Sequence, residues 1–192
     1  MRSWLMSDKV KNQPFDSGYI PTRGTEVENL RRAFEWSLAN KTEWALDIVN
    51  GLSYYWWSRD MFREGSLWIQ RAIEAHPREP RIEYAMAHRG LATMYTGISE
   101  YRTAHETLLA GLEFMPKSSD PIQRARYLNT MGNACANFDP ELAVKYFDEG
   151  LTLVGSPGGE TMVSTLRGNK AFALLLSGQL DEAEAYLEEA IN

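Results

Sequence analysis

The amino-acid sequence repeats itself at a stride of 39 to 40 residues. Small residues that open an apolar helical pattern stand at Gly65, Ala104, Ala143 and Ala183, in steps of 39, 39 and 40. A second series, Ser53, Ala92, Gly132 and Ala171, advances by 39, 40 and 39. A stride of this length marks a helical solenoid, in which one unit cannot bury its apolar face alone and does so against its neighbours. Hydrophobic residues make up 44% of the chain, enough for a packed interior. Such arrays present extended binding surfaces, so the pattern points to recognition rather than chemistry.

Local signals divide the chain. Residues 1–24 carry Pro14, Gly18, Pro21 and Gly24 without periodicity and read as an irregular lead-in, either an expression remnant or the tail of a preceding domain. The repeat domain is expected over 25–192. Thr25 and Glu28 have capping-box spacing, with the threonine oxygen accepting from the third amide and the glutamate reaching back. The leading helix is expected to run to about Ala39, with Val27, Leu30, Ala33, Phe34 and Leu38 as its apolar stripe. Four hairpins follow, pairing 43–58 with 62–75, 80–97 with 101–114, 121–136 with 140–153, and 160–177 with 180–191. Asp120 and Asp139 each place a capping carboxylate before a proline at the first helical position. Pro77 and Pro116 follow second helices, and Gly155, Pro157, Gly158 and Gly159 interrupt the chain before the last hairpin.

Charge and cysteine usage set expectations about surroundings. The net charge is −6 and no basic stripe stands out, so no direct nucleic-acid contact is expected. Cys135 is the single cysteine, which rules out an intrachain disulfide and fits a reducing compartment. The N-terminus lacks the apolar stretch of a signal peptide. The longest apolar runs, from Gly51 to Trp57 and from Ala171 to Leu176, are too short to cross a bilayer. A cytoplasmic protein without membrane contact is expected.

The repeated positions alternate in size. Leu91 and Tyr95 flank Ala92, Met131 and Cys135 flank Gly132, and Leu174 follows Ala171. Second helices read small, large, small: Gly65-Ile69-Ala72, Ala104-Leu108-Gly111, Ala143-Phe147-Gly150 and Ala183-Leu187-Ala190. Small side chains let the paired helix approach and large ones fill the space beside it. These positions resemble the tetratricopeptide repeat (TPR), whose closing proline is matched by Pro77 and Pro116 and whose hairpin turn is matched by the run from Gly178 to Ala183. The resemblance implies an all-α, right-handed α-α superhelix of about four helical hairpins plus a leading helix. The stride exceeds that family's repeat of about 34 residues, so longer connections are expected.

A narrower resemblance begins at Glu28. The run from Glu28 to Trp36 is followed by Trp44-Ala45-Leu46, Tyr55-Trp56-Trp57, Arg63-Glu64-Gly65 and the run from Trp68 to Ile73. It is similar to the start of the repeat region in large bacterial signalling proteins, namely LuxR-type and related STAND regulators and some cyclases. In these a nucleotide-binding switch domain precedes a repeat sensor arm. The 192 residues contain neither a G-x-x-x-x-G-K-[ST] phosphate loop nor a basic helix-turn-helix. The resemblance therefore implies a sensor or scaffold piece.

In the TPR family one face of the first helices lines the inner curve. Carried onto this sequence, that face implies a binding set of Asn50, Tyr54, Trp57, Arg89, Thr93, Arg126, Asn129 and Asn133, extended by Thr96, Gly168, Phe172 and Leu175. Asparagine amides pair with a peptide backbone, arginines grip carboxylates in two-pronged contacts, and aromatics offer apolar area. The implied function is a scaffold that binds a protein or peptide segment on its concave face. The alternative is the sensing arm of a transcriptional regulator, with a small-molecule effector in the same groove. The set does not reproduce the lysine-rich carboxylate clamp of co-chaperone repeats.

Other constellations favour packing over chemistry. Five of the six tryptophans lie between Trp36 and Trp68; Trp36, Trp44, Trp56 and Trp68 fall on apolar faces, and Trp57 points away from its hairpin partner. His76 stands at a helix end, where a positive imidazole suits the dipole, and none of His76, His88 and His105 has metal-ligand spacing. Cys135 sits at a packing position. No catalytic residue, metal ligand or cofactor is assigned, and no enzyme is expected. The last hairpin runs to Asn192 without a further polar helix, so a fragment of a longer protein or a homodimer through the C-terminal hairpin is expected.

Overall fold

The computed structural model describes residues 24–154 and 159–191. The lead-in over 1–23 and the glycine–proline break at 155–158 lie outside the described residues. Among the described residues all regular structure is α-helical. The helices are α1 (Gly24–Asn40), α2 (Thr42–Ser58), α3 (Phe62–Ala75), α4 (Ile82–Gly97), α5 (Tyr101–Leu112), α6 (Pro121–Cys135), α7 (Pro140–Leu153), α8 (Glu160–Leu176) and α9 (Leu180–Ile191). The protein is thus all-α, with neighbouring helices packed on one another. Helix α1 opens at Gly24, so Thr25 falls inside it rather than ahead of it; the Thr25 side chain that a capping box needs lies outside the described residues.

Two compact units divide the described residues, one holding 24–99 and 110–115, the other 100–109, 116–154 and 159–191. In the first unit α3 packs against both α2 and α4, while α1 lies on α2 and α3. Phe34, Leu46, Val49, Trp56, Ile69 and Met94 are buried between them. Phe34 stacks on Trp68 with centroids 4.7 Å apart, and Trp56 meets Trp68 edge-on at 5.5 Å, both favoured aromatic geometries. Polar ties secure α1 to α3: Arg71 donates to both oxygens of Glu35 at 2.6 and 2.7 Å, and Arg31 donates to Glu64 at 2.9 Å.

The second unit repeats the scheme, with α7 against α6 and α8 and with α9 on α8. Tyr127, Met131, Phe147, Leu166 and Leu174 are fully buried. Gly132 on α6 faces the ring of Phe147 on α7 so closely that a Cβ would collide with it. A small residue there sets the helix separation, as the size pattern requires.

Lys170 departs from that pattern. It stands one stride after Met131, which follows Leu91 and Leu52, all apolar and buried. The lysine is buried too, and its Nζ donates to Asp148 Oδ1 at 2.6 Å and to the Tyr186 hydroxyl at 2.7 Å. Burial opposes the charge; the bonds to Asp148 and Tyr186 outweigh it, so its pKa lies above the usual lysine value.

Turns within hairpins follow one rule with one exception. After α2, α4 and α8 the chain passes through the left-handed region at Asp60 (φ 56°), Ser99 (φ 63°) and Gly178 (φ 79°). At the equivalent place before α7, Phe138 does not enter that region, and the next residue, Asp139, has φ −152° and caps the helix, its Oδ1 accepting from the Leu142 amide at 3.0 Å. Pro140 follows at the first helical position, where its missing donor costs nothing. No helix among the described residues is long and apolar enough to cross a membrane.

Candidate functional site

The eight residues of the expected binding set fall into two groups. Asn50, Tyr54, Trp57, Arg89 and Thr93 belong to the first unit, and Arg126, Asn129 and Asn133 to the second. On α2, the spacing of Asn50, Tyr54 and Trp57 aligns them on one helical face. Asn50 is half-buried and its Nδ2 donates to the Glu83 carbonyl at 2.9 Å, tying α2 to the start of α4. Tyr54 and Trp57 form a stacked pair with centroids 5.9 Å apart, and Trp57 is 45% exposed. Arg89 and Thr93 are half-buried on α4. The Thr93 hydroxyl donates to the Arg89 carbonyl and that of Thr96 to the Ala92 carbonyl. Both hydroxyls are thus turned back onto their own helix.

In the second unit, Arg126, Asn129 and Asn133 share a face of α6. Arg126 is half-buried, and burial pulls its pKa below the usual arginine value against the opposing charge of Asp120. Asn129 accepts from Asn169 of α8 at 2.9 Å, while Asn133 is exposed. On α8, Gly168 borders open space, and Phe172 and Leu175 are exposed. The face therefore changes from polar on α6 to apolar on α8. Asn169 was not among the expected residues; its neighbour Gly168 was, and an amide beside that position is the signal that pointed to it.

The remaining reactive groups are sequestered. Cys135 is buried and its thiol is pushed up to about 12, chiefly by burial, which leaves little thiolate near neutrality. His105 shares a contact of 3.0 Å with the Tyr146 hydroxyl, and burial lowers its pKa against the pull of Asp139 and Glu106. His76 stands at the C-cap of α3, the helix end expected of it. Its ring is buried 5.4 Å from that of Tyr84, in the neighbourhood of His88 and Phe114. Trp36 also differs, being exposed and tilted against Trp44, because α1 turns its Phe34 face to the core instead. Among the described residues no group of three or more histidines, cysteines and carboxylates is placed to hold a metal ion.

No family model matches the chain. Among curated proteins it is similar to one from Mycobacterium bovis and to two from strains of Mycobacterium tuberculosis, each bearing the provisional name of an HTH-type transcriptional regulator. Each is 26% identical over 194 residues, covering 93% of this chain and 21% of the relative. The chain thus spans about a fifth of the length of the curated relatives it matches. This match overturns the expectation of no direct nucleic-acid contact, because helix-turn-helix proteins contact DNA. That expectation rested on a net charge of −6, and charge summed over a segment spanning 21% of such a protein does not report on the remainder.

Proposed function

We propose that the chain is the helical-repeat arm of a larger bacterial transcriptional regulator. It is a right-handed superhelix of tetratricopeptide type, and an effector bound along its first helices changes what the regulator does. The observation that carries this reading is the match over 93% of the chain to proteins named as HTH-type regulators, of which it covers 21%. The regular stride supports a repeat arm. DNA contact is assigned to the regulator as a whole, the arm performs no reaction, and the protein works in the cytoplasm.

The effector contacts in the first unit are Tyr54 and Trp57, a stacked pair whose exposed member is Trp57, suited to an apolar or ring-bearing small molecule. Arg126, Asn133 and Phe172 are the corresponding contacts in the second. A peptide groove receives less support, because Asn50, Thr93 and Asn129 already hydrogen-bond within the fold.

Transcript profiling tests the reading. Cells lacking the gene are compared with cells carrying Tyr54→Ala together with Trp57→Ala, the variant's fold being checked by circular dichroism. The same transcripts are expected to change in both. A deletion that leaves the profile untouched overturns the regulator; a deletion with an effect that the double variant lacks overturns the assignment of the aromatic pair.

A further inference from the structure

One register position is buried four times and open once. Leu30, Ile69, Leu108, Phe147 and Leu187 follow each other by 39, 39, 39 and 40 residues. The first four are 8%, 0%, 0% and 0% exposed, whereas Leu187 is 42% exposed. In every buried case the next helix in the chain makes contact at or beside this position. Leu30 lines a small cavity with Leu52, Tyr55 and Trp56 of α2. Ile69 Cδ1 lies 3.5 Å from the Cβ position of Gly90 on α4. The Leu108 carbonyl accepts from the Tyr127 hydroxyl of α6 at 2.8 Å. Phe147 shares a core with Leu166 of α8.

A second position shows one such contrast. Phe62 packs its ring against Gly97 of α4, and Leu180 stands three strides later with 63% exposure. Two leucines, at places where the first hairpin meets the next first helix, thus lie open together on α9.

We propose that this face of α9, centred on Leu180 and Leu187, seats one more first helix: an amphipathic helix opening a fifth hairpin of the same stride. The polypeptide that carries this segment supplies it. The proposal rests on the reading of the chain as an arm of a longer protein. The register argues for this occupant, since the position is buried four times with the next helix in contact, and so do relatives of which such a segment covers 21%.

Thiol labelling tests it. Leu187→Cys is placed in a Cys135→Ala background, with Lys117→Cys as an exposed control, and maleimide labelling is timed in two proteins. One is the 192-residue chain and the other is the product of the complete natural reading frame. In the shorter protein Leu187→Cys is expected to react within about tenfold of the control; in the longer one it slows by about a hundredfold while the control keeps its rate. Equal rates in the two proteins overturn the docking. So does a reading frame that closes before about ten further residues, too few for a helix. Slow labelling of the 192-residue chain that recovers on dilution also overturns it, because a second copy then covers the face. None of these outcomes touches the regulator reading, which transcript profiling decides.

Discussion

His88 shows how the interior of the first unit fixes a protonation state. Its ring lies edge-on to Tyr84 at 4.7 Å and stacks with Phe114 at 6.3 Å, and Nδ1–H donates to the Tyr84 carbonyl at 3.0 Å. Burial lowers its pKa; the Tyr84 carbonyl opposes that and Arg78 adds to it. The folded-state value therefore lies below the unfolded value of about 6.5, and protonation favours the unfolded chain. The stability that neutral His88 provides is present above about pH 6.5 and is lost as pH falls through the folded-state value. The denaturant midpoint is expected to drop between about pH 7 and 5, and His88→Gln to flatten that drop. An unchanged slope in the variant contradicts this account. Other side chains show why the candidate site was only partly readable from sequence. Helical spacing put Asn50, Tyr54 and Trp57 on one face, but it carried no information on the Asn50 bond to the Glu83 carbonyl. Asn129 likewise meets Asn169, a partner 40 positions away. Lys170 could have been noticed by aligning it with Leu52, Leu91 and Met131, yet its bonds to Asp148 and Tyr186 depend on how α7 and α9 pack.

Helix ends were most readable where a side chain determines them. Asp120 and Asp139 bond the amides of Ile122 and Leu142, and α6 and α7 begin at the prolines that follow. Helix α1 extends one residue ahead of Thr25. The turns after α2 and α4 were less apparent, because Asp60 and Ser99 are not glycines although their φ values are 56° and 63°. A left-handed backbone costs an L residue about 1–2 kcal/mol, part of which glycine loses again through its greater unfolded-state freedom. Asp60→Gly and Ser99→Gly are each expected to raise unfolding free energy by about 0.5–1 kcal/mol. Urea titration measures it, and a loss of stability in either variant shows that its side chain stabilises the turn.

Within each unit, local order follows from an apolar pattern that each helix satisfies only against its chain neighbours. That pattern was readable because it recurs: Ile69, Leu108 and Phe147 are one position seen three times, and chance does not reproduce a stride of 39 with the same burial. The aromatic packing of α1 was less so, since Trp36 and Phe34 are both apolar and the selection of Phe34 for the stack on Trp68 depends on how α1 rotates over α3. Equilibrium unfolding of Ile69→Ala, Leu108→Ala, Phe147→Ala and Leu187→Ala in the 192-residue chain compares one register position across four second helices. The first three are expected to lose about 2–5 kcal/mol each and Leu187→Ala less than about 1 kcal/mol. A loss at Leu187 equal to the others, or a negligible loss at any of the three, contradicts a fold in which each second helix is sealed by the first helix that follows it.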